Sequence, residues 1–202
     1  MNISYFENNS IDLSDNMSAL AKLQAKFRGD RAREVHIKRA KEGASVVCPY
    51  VALLPSIMTD LDTFVTISIS DIFYDLGSGD GRVCVDVAKK YGCQCVGIEI
   101  DAVLCNTANR LVEESDVRDK VSIICDDILN QSLEEATILF IALVPSCLMS
   151  LTPTLKDMIE KGKRIVSYKF PLPESEGWVP VRTLETDDVI KEGNRVYLYY
   201  YE

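Results

Sequence analysis

The stretch Asp75-Leu76-Gly77-Ser78-Gly79-Asp80-Gly81 decides the fold. It follows the short apolar run Ile72-Phe73-Tyr74 and precedes a helical pattern over 81–91, with Cys84, Val87, Ala88 and Tyr91 on one face. The order is therefore strand, tight bend, helix. Glycines at 77, 79 and 81 let backbone approach a ligand closely, and the start of the following helix is expected to aim amides at it. A dinucleotide-binding fingerprint would need its third glycine at position 82, which is Arg82. Asp75, at the strand tip, adds a carboxylate that can receive an ammonium group and would repel a pyrophosphate. The bend, with Ser78 at its centre, thus predicts a cationic ligand resembling an amino acid.

Outward from the bend, the next strand is expected over 95–100 and ends in Gly97-Ile98-Glu99-Ile100-Asp101. Glu99 can accept both hydroxyls of a ribose, as acidic residues at this position also do in NAD enzymes, with Ile100 beside it. A helix follows over 102–115, with Leu104, Ala108 and Leu111 inward, then a strand over 121–125 and Asp126-Asp127. A carboxylate there can accept the exocyclic amine of adenine, with helix capping or solvation the alternative for either Asp. A fully apolar strand is expected over 137–143. Thr152 then reads as the cap of a helix with Pro153 at its first position and Gly162 at its end. A fifth strand is expected over 164–170. Two more, over 178–185 and 194–201, flank Lys191-Glu192-Gly193 as a hairpin turn.

Strands alternating with helices and ending in a hairpin mean an α/β fold with a mostly parallel sheet and an antiparallel edge. The three acidic strand tips share the carboxyl edge of that sheet, where open α/β folds bind ligands. Ahead of this unit, residues 1–14 are expected to be disordered. Residues 15–45 form a helical extension, and 46–51 are extended up to Pro49-Tyr50. A helix over 55–62 leads into the main domain, which spans 46–202.

Taken together, DLGSGDG, Glu99 and Asp126 resemble the class I S-adenosylmethionine-dependent methyltransferases. The resemblance implies a Rossmann-like seven-stranded sheet in the order 3-2-1-4-5-7-6, with strand 7 antiparallel. It implies S-adenosylmethionine as cofactor and S-adenosylhomocysteine as product. Asp75 and the backbone of Gly77, Ser78, Gly79 and Gly81 would hold the methionine end and Glu99 the ribose. Asp126, with the backbone at Asp127 and Ile128, would hold the adenine. A narrower resemblance rests on Cys48-Pro49-Tyr50-Val51, DLGSGDGR, Leu143-Val144-Pro145 and Arg164-Ile165-Val166-Ser167-Tyr168-Lys169-Phe170-Pro171. This set is similar to a lysine methyltransferase family that includes the mitochondrial enzymes modifying the adenine nucleotide translocase and the ATP synthase c-subunit. That implies a protein substrate modified on lysine. Tyr50, Phe170 and Pro171 would line the acceptor channel, and Leu143 would form its floor beside the cofactor. For Phe170 a plain packing role is an alternative.

Lysine must be neutral to attack a methyl group, and deprotonating it at pH 7 costs roughly 4–5 kcal/mol. A dry, aromatic-lined channel lowers that cost by disfavouring the ammonium. The end of strand four lacks the Asp/Asn-Pro-Pro-aromatic motif associated with methylation of amino groups on bases. The alternatives are a methyltransferase acting on small molecules or nucleic acid, and a non-catalytic subunit with the same fold. The intact bend and Glu99 argue against the last.

Composition narrows the field further. The chain has 202 residues and a formal net charge of −9, which disfavours general binding to phosphate backbones. Residues 22–41 nevertheless carry eight Lys/Arg against two acids, a net +6, leaving −15 for the remainder. An acidic body attracts cationic substrates and a sulfonium cofactor over long range. Neither weakly charged stretch, 43–59 or 137–155, offers the roughly 20 continuous apolar residues of a membrane span. The seven cysteines, with no secretory signal expected at the N-terminus, predict reduced thiols and a cytoplasmic protein, with nuclear and mitochondrial placement left open. The one histidine, His36, lies far from Cys93 and Cys95, so no metal site is expected. The sequence does not fix the oligomeric state.

Overall fold

The computed structural model describes residue 53 and residues 57–173, 177–189 and 195–201. The expected disorder at 1–14, the helical extension at 15–45, the extended run at 46–51 with Tyr50, and the turn at 191–193 lie outside the described residues.

A seven-stranded sheet has the order β3-β2-β1-β4-β5-β7-β6. Its strands are β1 (Ile72–Leu76), β2 (Gln94–Glu99), β3 (Val121–Cys125), β4 (Ile138–Ile141), β5 (Arg164–Tyr168), β6 (Arg182–Val189) and β7 (Arg195–Tyr201). The first five are parallel, and β7 runs antiparallel to both β5 and β6. The expected order and the direction of strand 7 are both present. β1 and β4 lie at the centre and are apolar throughout except for Asp75, as strands covered on both faces must be.

Helices α1 (Ile57–Phe64), α2 (Arg82–Tyr91) and α3 (Ala102–Glu114) precede β1, β2 and β3, and α4 (Pro145–Glu160) precedes β5. One core joins Leu61, Phe64, Val83, Cys84 and Val87 to Phe73, Phe140, Val166 and Tyr200. The other joins Leu148, Leu151, Leu155 and Met158 of α4 to Tyr74, Leu76, Ile98, Leu139 and Ile165. Successive residues of β1, Phe73 and Tyr74, thus enter opposite layers.

Three details depart from the expectation. First, Thr152 does not cap α4 and Pro153 is not its first residue: the helix starts at Pro145 and runs through Pro153. The buried residues Cys147, Leu148, Leu151, Leu155 and Met158 form a stripe that continues across that point, so packing overrides the local proline signal. Thr152 Oγ1 donates to the Leu148 carbonyl instead, at 3.2 Å. Pro153 and the side chain of Met149 are exposed, so water can reach the carbonyl that Pro153 leaves without a partner. Second, the inward stripe of α3 is Cys105, Ala108 and Val112, with Leu104 and Leu111 only half-buried. Third, Cys147, expected to be reduced, is disulfide-bonded, while Cys84, Cys93, Cys95, Cys105 and Cys125 are free. Among the described residues no helix is long and apolar enough to cross a membrane.

At the amino edge of the sheet, Asp71 ties β1, β4 and β5 together. Its Oδ1 accepts from Thr137 Oγ1 at 2.7 Å and from the Arg164 guanidinium, and its Oδ2 accepts from the Ser68 amide at 2.7 Å. This clamp is remote from the carboxyl edge, where the candidate site lies.

Candidate cofactor and acceptor site

The bend after β1 is built from left-handed backbone: Gly77, Gly79 and Gly81 have φ of 86°, 57° and 78°. Space is equally restricted. A Cβ on Gly77 would lie 2.8 Å from Leu143 Cδ2, and one on Gly81 would lie 2.8 Å from Ala108 Cβ. Leu143 therefore sits against the bend from just beyond the end of β4.

The amides within the bend are engaged by the chain itself. Gly77 and Ser78 both donate to the Ile98 carbonyl, at 2.9 and 3.0 Å. Gly79 donates to Glu99 Oε2 at 2.9 Å, and Gly81 donates to the Ser78 carbonyl. The bend is thus sewn to the end of β2, and all four amides have partners within the chain, that of Gly79 being the Glu99 carboxylate. Its glycines serve close approach rather than amide donation.

What the bend does offer is a cluster of buried carboxyl groups. Asp75, Asp80 and Glu99 are all buried, at 2%, 6% and 8% exposure. Asp80 is held by Arg82, whose Nε lies 2.9 Å from Oδ1. Among the described residues Asp75 receives no side-chain hydrogen bond. Burial, reinforced by the Glu99 and Asp80 charges, pushes its carboxyl up to about 8. A cavity of about 20 Å³, lined by Asp75, Gly77, Ser78, Asp80, Arg82 and Ala142, lies beside it. That is room for one water-sized group, and an ammonium is of that size. Among the described residues Ser78 Oγ, buried there, has no partner. This donor set fits a cationic amino-acid end and does not fit a pyrophosphate.

Glu99 accepts from Gly79 through Oε2 and from the Asp101 amide through Oε1 at 2.8 Å. Burial pushes its carboxyl up against the opposing pull of these amides. Each oxygen keeps a second lone pair, enough for a vicinal diol. Ile100 follows, half-buried, and Asp101 caps α3 by accepting from Val103 at 2.7 Å. At the β3 tip, Asp126 accepts from the Asp127 amide and Asn130 on Oδ1 and from Gln131 on Oδ2, at 2.7, 3.1 and 2.7 Å. These bonds hold its carboxyl below the usual range, led by the one from Asn130. The Asp127 amide, expected to face adenine, is therefore taken by Asp126. The Asp127 carboxylate caps the 3-10 turn Ile128–Asn130 through the Leu129 amide, so capping is its local role.

Beyond β5, Lys169 has φ of 72°, a conformation that side chains adopt only under constraint. Ser167 Oγ, fully buried, donates to the Phe170 carbonyl at 2.6 Å and fixes this turn. Phe170 is half-buried against the α4-side core and Pro171 is exposed. The Lys169 ammonium lies 5.4 Å from the centre of the Phe170 ring. Phe170 thus packs and lines the edge at once.

Sequence reasoning passed over three contributors. Arg82 neutralises Asp80. Ala108 is small enough to admit Gly81. Gly97 lets Ser78 approach β2, because a Cβ there would lie 2.7 Å from Ser78 Oγ and 2.9 Å from Ile123 Cδ1. The glycine inside an otherwise apolar strand is the signal that could have revealed the last.

Comparison with known proteins gives a consistent picture. Residues 75–182 match the ANTKMT methyltransferase domain. The chain is 30% identical over 152 residues to a protein-lysine N-methyltransferase of Saccharolobus islandicus, covering 75% of this chain and 92% of that protein. It is 32% identical over 127 residues to the adenine nucleotide translocase lysine N-methyltransferase of Mus musculus, covering 62% of this chain and 51% of that one. It thus spans about half the length of this mouse relative. Among solved structures, an RNA methyltransferase from Salinibacter ruber in complex with S-adenosyl-L-homocysteine matches with a TM-score of 0.64 and 28% identity, covering 75% of this chain and 92% of that one.

Proposed function

The chain belongs to the ANTKMT methyltransferase-domain family, and on that premise we propose that this S-adenosylmethionine-dependent methyltransferase acts on the side-chain nitrogen of protein lysines. The structural observation that carries the cofactor half is Asp75: a buried carboxylate without a side-chain bond, facing a cavity of ammonium size. For the acceptor half the support is the name and coverage of the Saccharolobus islandicus relative, together with the acidic body.

When bound, S-adenosylmethionine supplies a methyl group on a positively charged sulfur. The chain's residues orient the two reactants and exclude water. Asp75 takes the ammonium of the methionine end, and Ser78 Oγ gains there the partner it lacks. Glu99 takes the ribose hydroxyls on its spare lone pairs while still holding Gly79 and Asp101. Asp126 presents its remaining lone pair to the adenine amine. Leu143 closes on Gly77 and keeps the bend narrow. Phe170 and Pro171 form a wall at the carboxyl edge that limits water around the acceptor amine, with the Phe170 ring facing the Lys169 ammonium.

The RNA named for the Salinibacter ruber protein makes nucleic acid the rival acceptor. Labelled S-adenosylmethionine, incubated with the protein and with separated protein, RNA and metabolite fractions, tests the choice. The expected product is N-methyllysine in hydrolysed protein. Label confined to RNA or metabolites would refute the lysine reading and leave the cofactor assignment standing.

A further inference from the structure

Beside Phe170 a cavity of about 450 Å³ opens between the segment after β5 and the strand β7. Pro171, Leu172, Trp178, Pro180, Tyr199 and Tyr201 line it, and among the described residues none that lines it is charged. In a chain that is 26% charged, with a net −9, such a surface is unusual. Its floor is built rather than accidental. Leu172 and Tyr201 are buried, and the Leu172 amide donates to the Tyr201 hydroxyl at 2.9 Å. Val181 donates to the Tyr200 carbonyl at 2.8 Å and pins the far wall to β7. The rim is open and apolar, with Val179 79% exposed and Val181 61% exposed.

The cavity is continuous with the acceptor wall. Pro171 belongs to both, and Tyr199 pairs in register with Ser167, whose hydroxyl fixes the Phe170 turn. We propose that this cavity is a second subsite for the protein substrate, taking an apolar side chain that lies close in sequence to the methylated lysine. The proposal rests on the lysine reading above and adds what the enzyme selects. Its volume lies in the range of ligand-binding sites, and an aromatic-lined groove is a recurring seat for extended peptide. The acidic body draws the lysine in over long range, and the uncharged cavity then discriminates at short range. A charged neighbour would lose its hydration there with no partner, and an apolar one would gain by burial.

A peptide library with one central lysine and randomised flanks, methylated by the full chain with labelled S-adenosylmethionine, tests this. The wild type should enrich Leu, Ile, Phe, Met or Trp over Asp and Glu at one flanking position. Trp178→Ala should abolish that enrichment and reduce kcat/KM for the preferred peptide roughly tenfold or more, through KM, with S-adenosylhomocysteine affinity unchanged. Should Trp178→Ala fail to fold, Val179→Asp on the exposed rim should give the same loss. No enrichment by the wild type, or the same enrichment and kcat/KM in folded variants, would overturn the proposal. If no peptide is methylated although S-adenosylhomocysteine binds, the lysine reading fails and this inference falls with it.

Discussion

Replacing Asp75 by Asn should stabilise the cofactor-free protein while weakening cofactor binding. The Asp75 carboxyl is raised from its ordinary 3.8 to about 8, first by burial and then by the Glu99 and Asp80 charges. Between those two values the folded chain holds a proton that the unfolded chain releases. Stability therefore falls as pH rises, by about 1.4 kcal/mol per unit, until pH passes 8. Over the interval from 3.8 to pH 7 the penalty amounts to about 4 kcal/mol, an upper bound because buried sites relax. Asparagine has the same shape and no titration, so the variant should match the wild type near pH 4 and exceed it by about 2–4 kcal/mol at pH 7. Urea denaturation at pH 5, 7 and 8 reads the difference directly. The ammonium of S-adenosylhomocysteine needs the carboxylate. The wild type should therefore release close to one proton per ligand at pH 7, and the variant none. Loss of this charge-assisted contact should weaken affinity about tenfold to hundredfold. A variant that is no more stable at pH 7 than at pH 5 relative to wild type, or that binds with undiminished affinity, would refute the reasoning.

Other positions give sharper controls. Gly97→Ala should lower both stability and S-adenosylhomocysteine affinity, since its methyl would meet Ser78 and Ile123 at under 3 Å; melting and calorimetry check it together. Glu99→Gln keeps shape but turns one acceptor into a donor, so either Gly79 or Asp101 loses its partner. A stability loss of about 1–3 kcal/mol with weaker cofactor binding is expected in chemical denaturation and titration. Asp71→Asn, at the opposite edge, should destabilise without changing cofactor affinity. Burial pushes the Asp71 carboxyl up, but the Thr137, Ser68 and Arg164 contacts outweigh burial and hold it below the ordinary value. The stability it contributes is thus present above pH 4 and is lost as pH falls through its folded value, which a pH series of melting curves reads.

Much of this could be read from residues alone, for physical reasons. Short apolar strands and a glycine bend leave few topologies, and the carboxyl-edge rule then brings Asp75, Glu99 and Asp126 to one side. The partners of the bend's amides were not legible, because they are the Ile98 carbonyl and the Glu99 carboxylate at the end of the next strand. Nor was the course of α4 through Pro153, since buried Leu148, Leu151 and Leu155 decide it from the other layer. In α3 the Leu104–Leu111 stripe misled because small residues, Cys105 and Ala108, occupy the tightest contact. A pattern based on hydrophobic size cannot see a site that selects for smallness. Asp127 was ambiguous between capping and binding, and the observed cap at Leu129 assigns its side chain to the first.

The central claim is that three acidic strand tips grip a cationic adenosyl amino acid. A crystal structure with S-adenosylhomocysteine tests it most directly. The account predicts the ligand's ammonium within about 3 Å of an Asp75 oxygen and its ribose hydroxyls at similar distance from Glu99. An ammonium seated elsewhere with Asp75 untouched, or a ribose out of reach of Glu99, would contradict it.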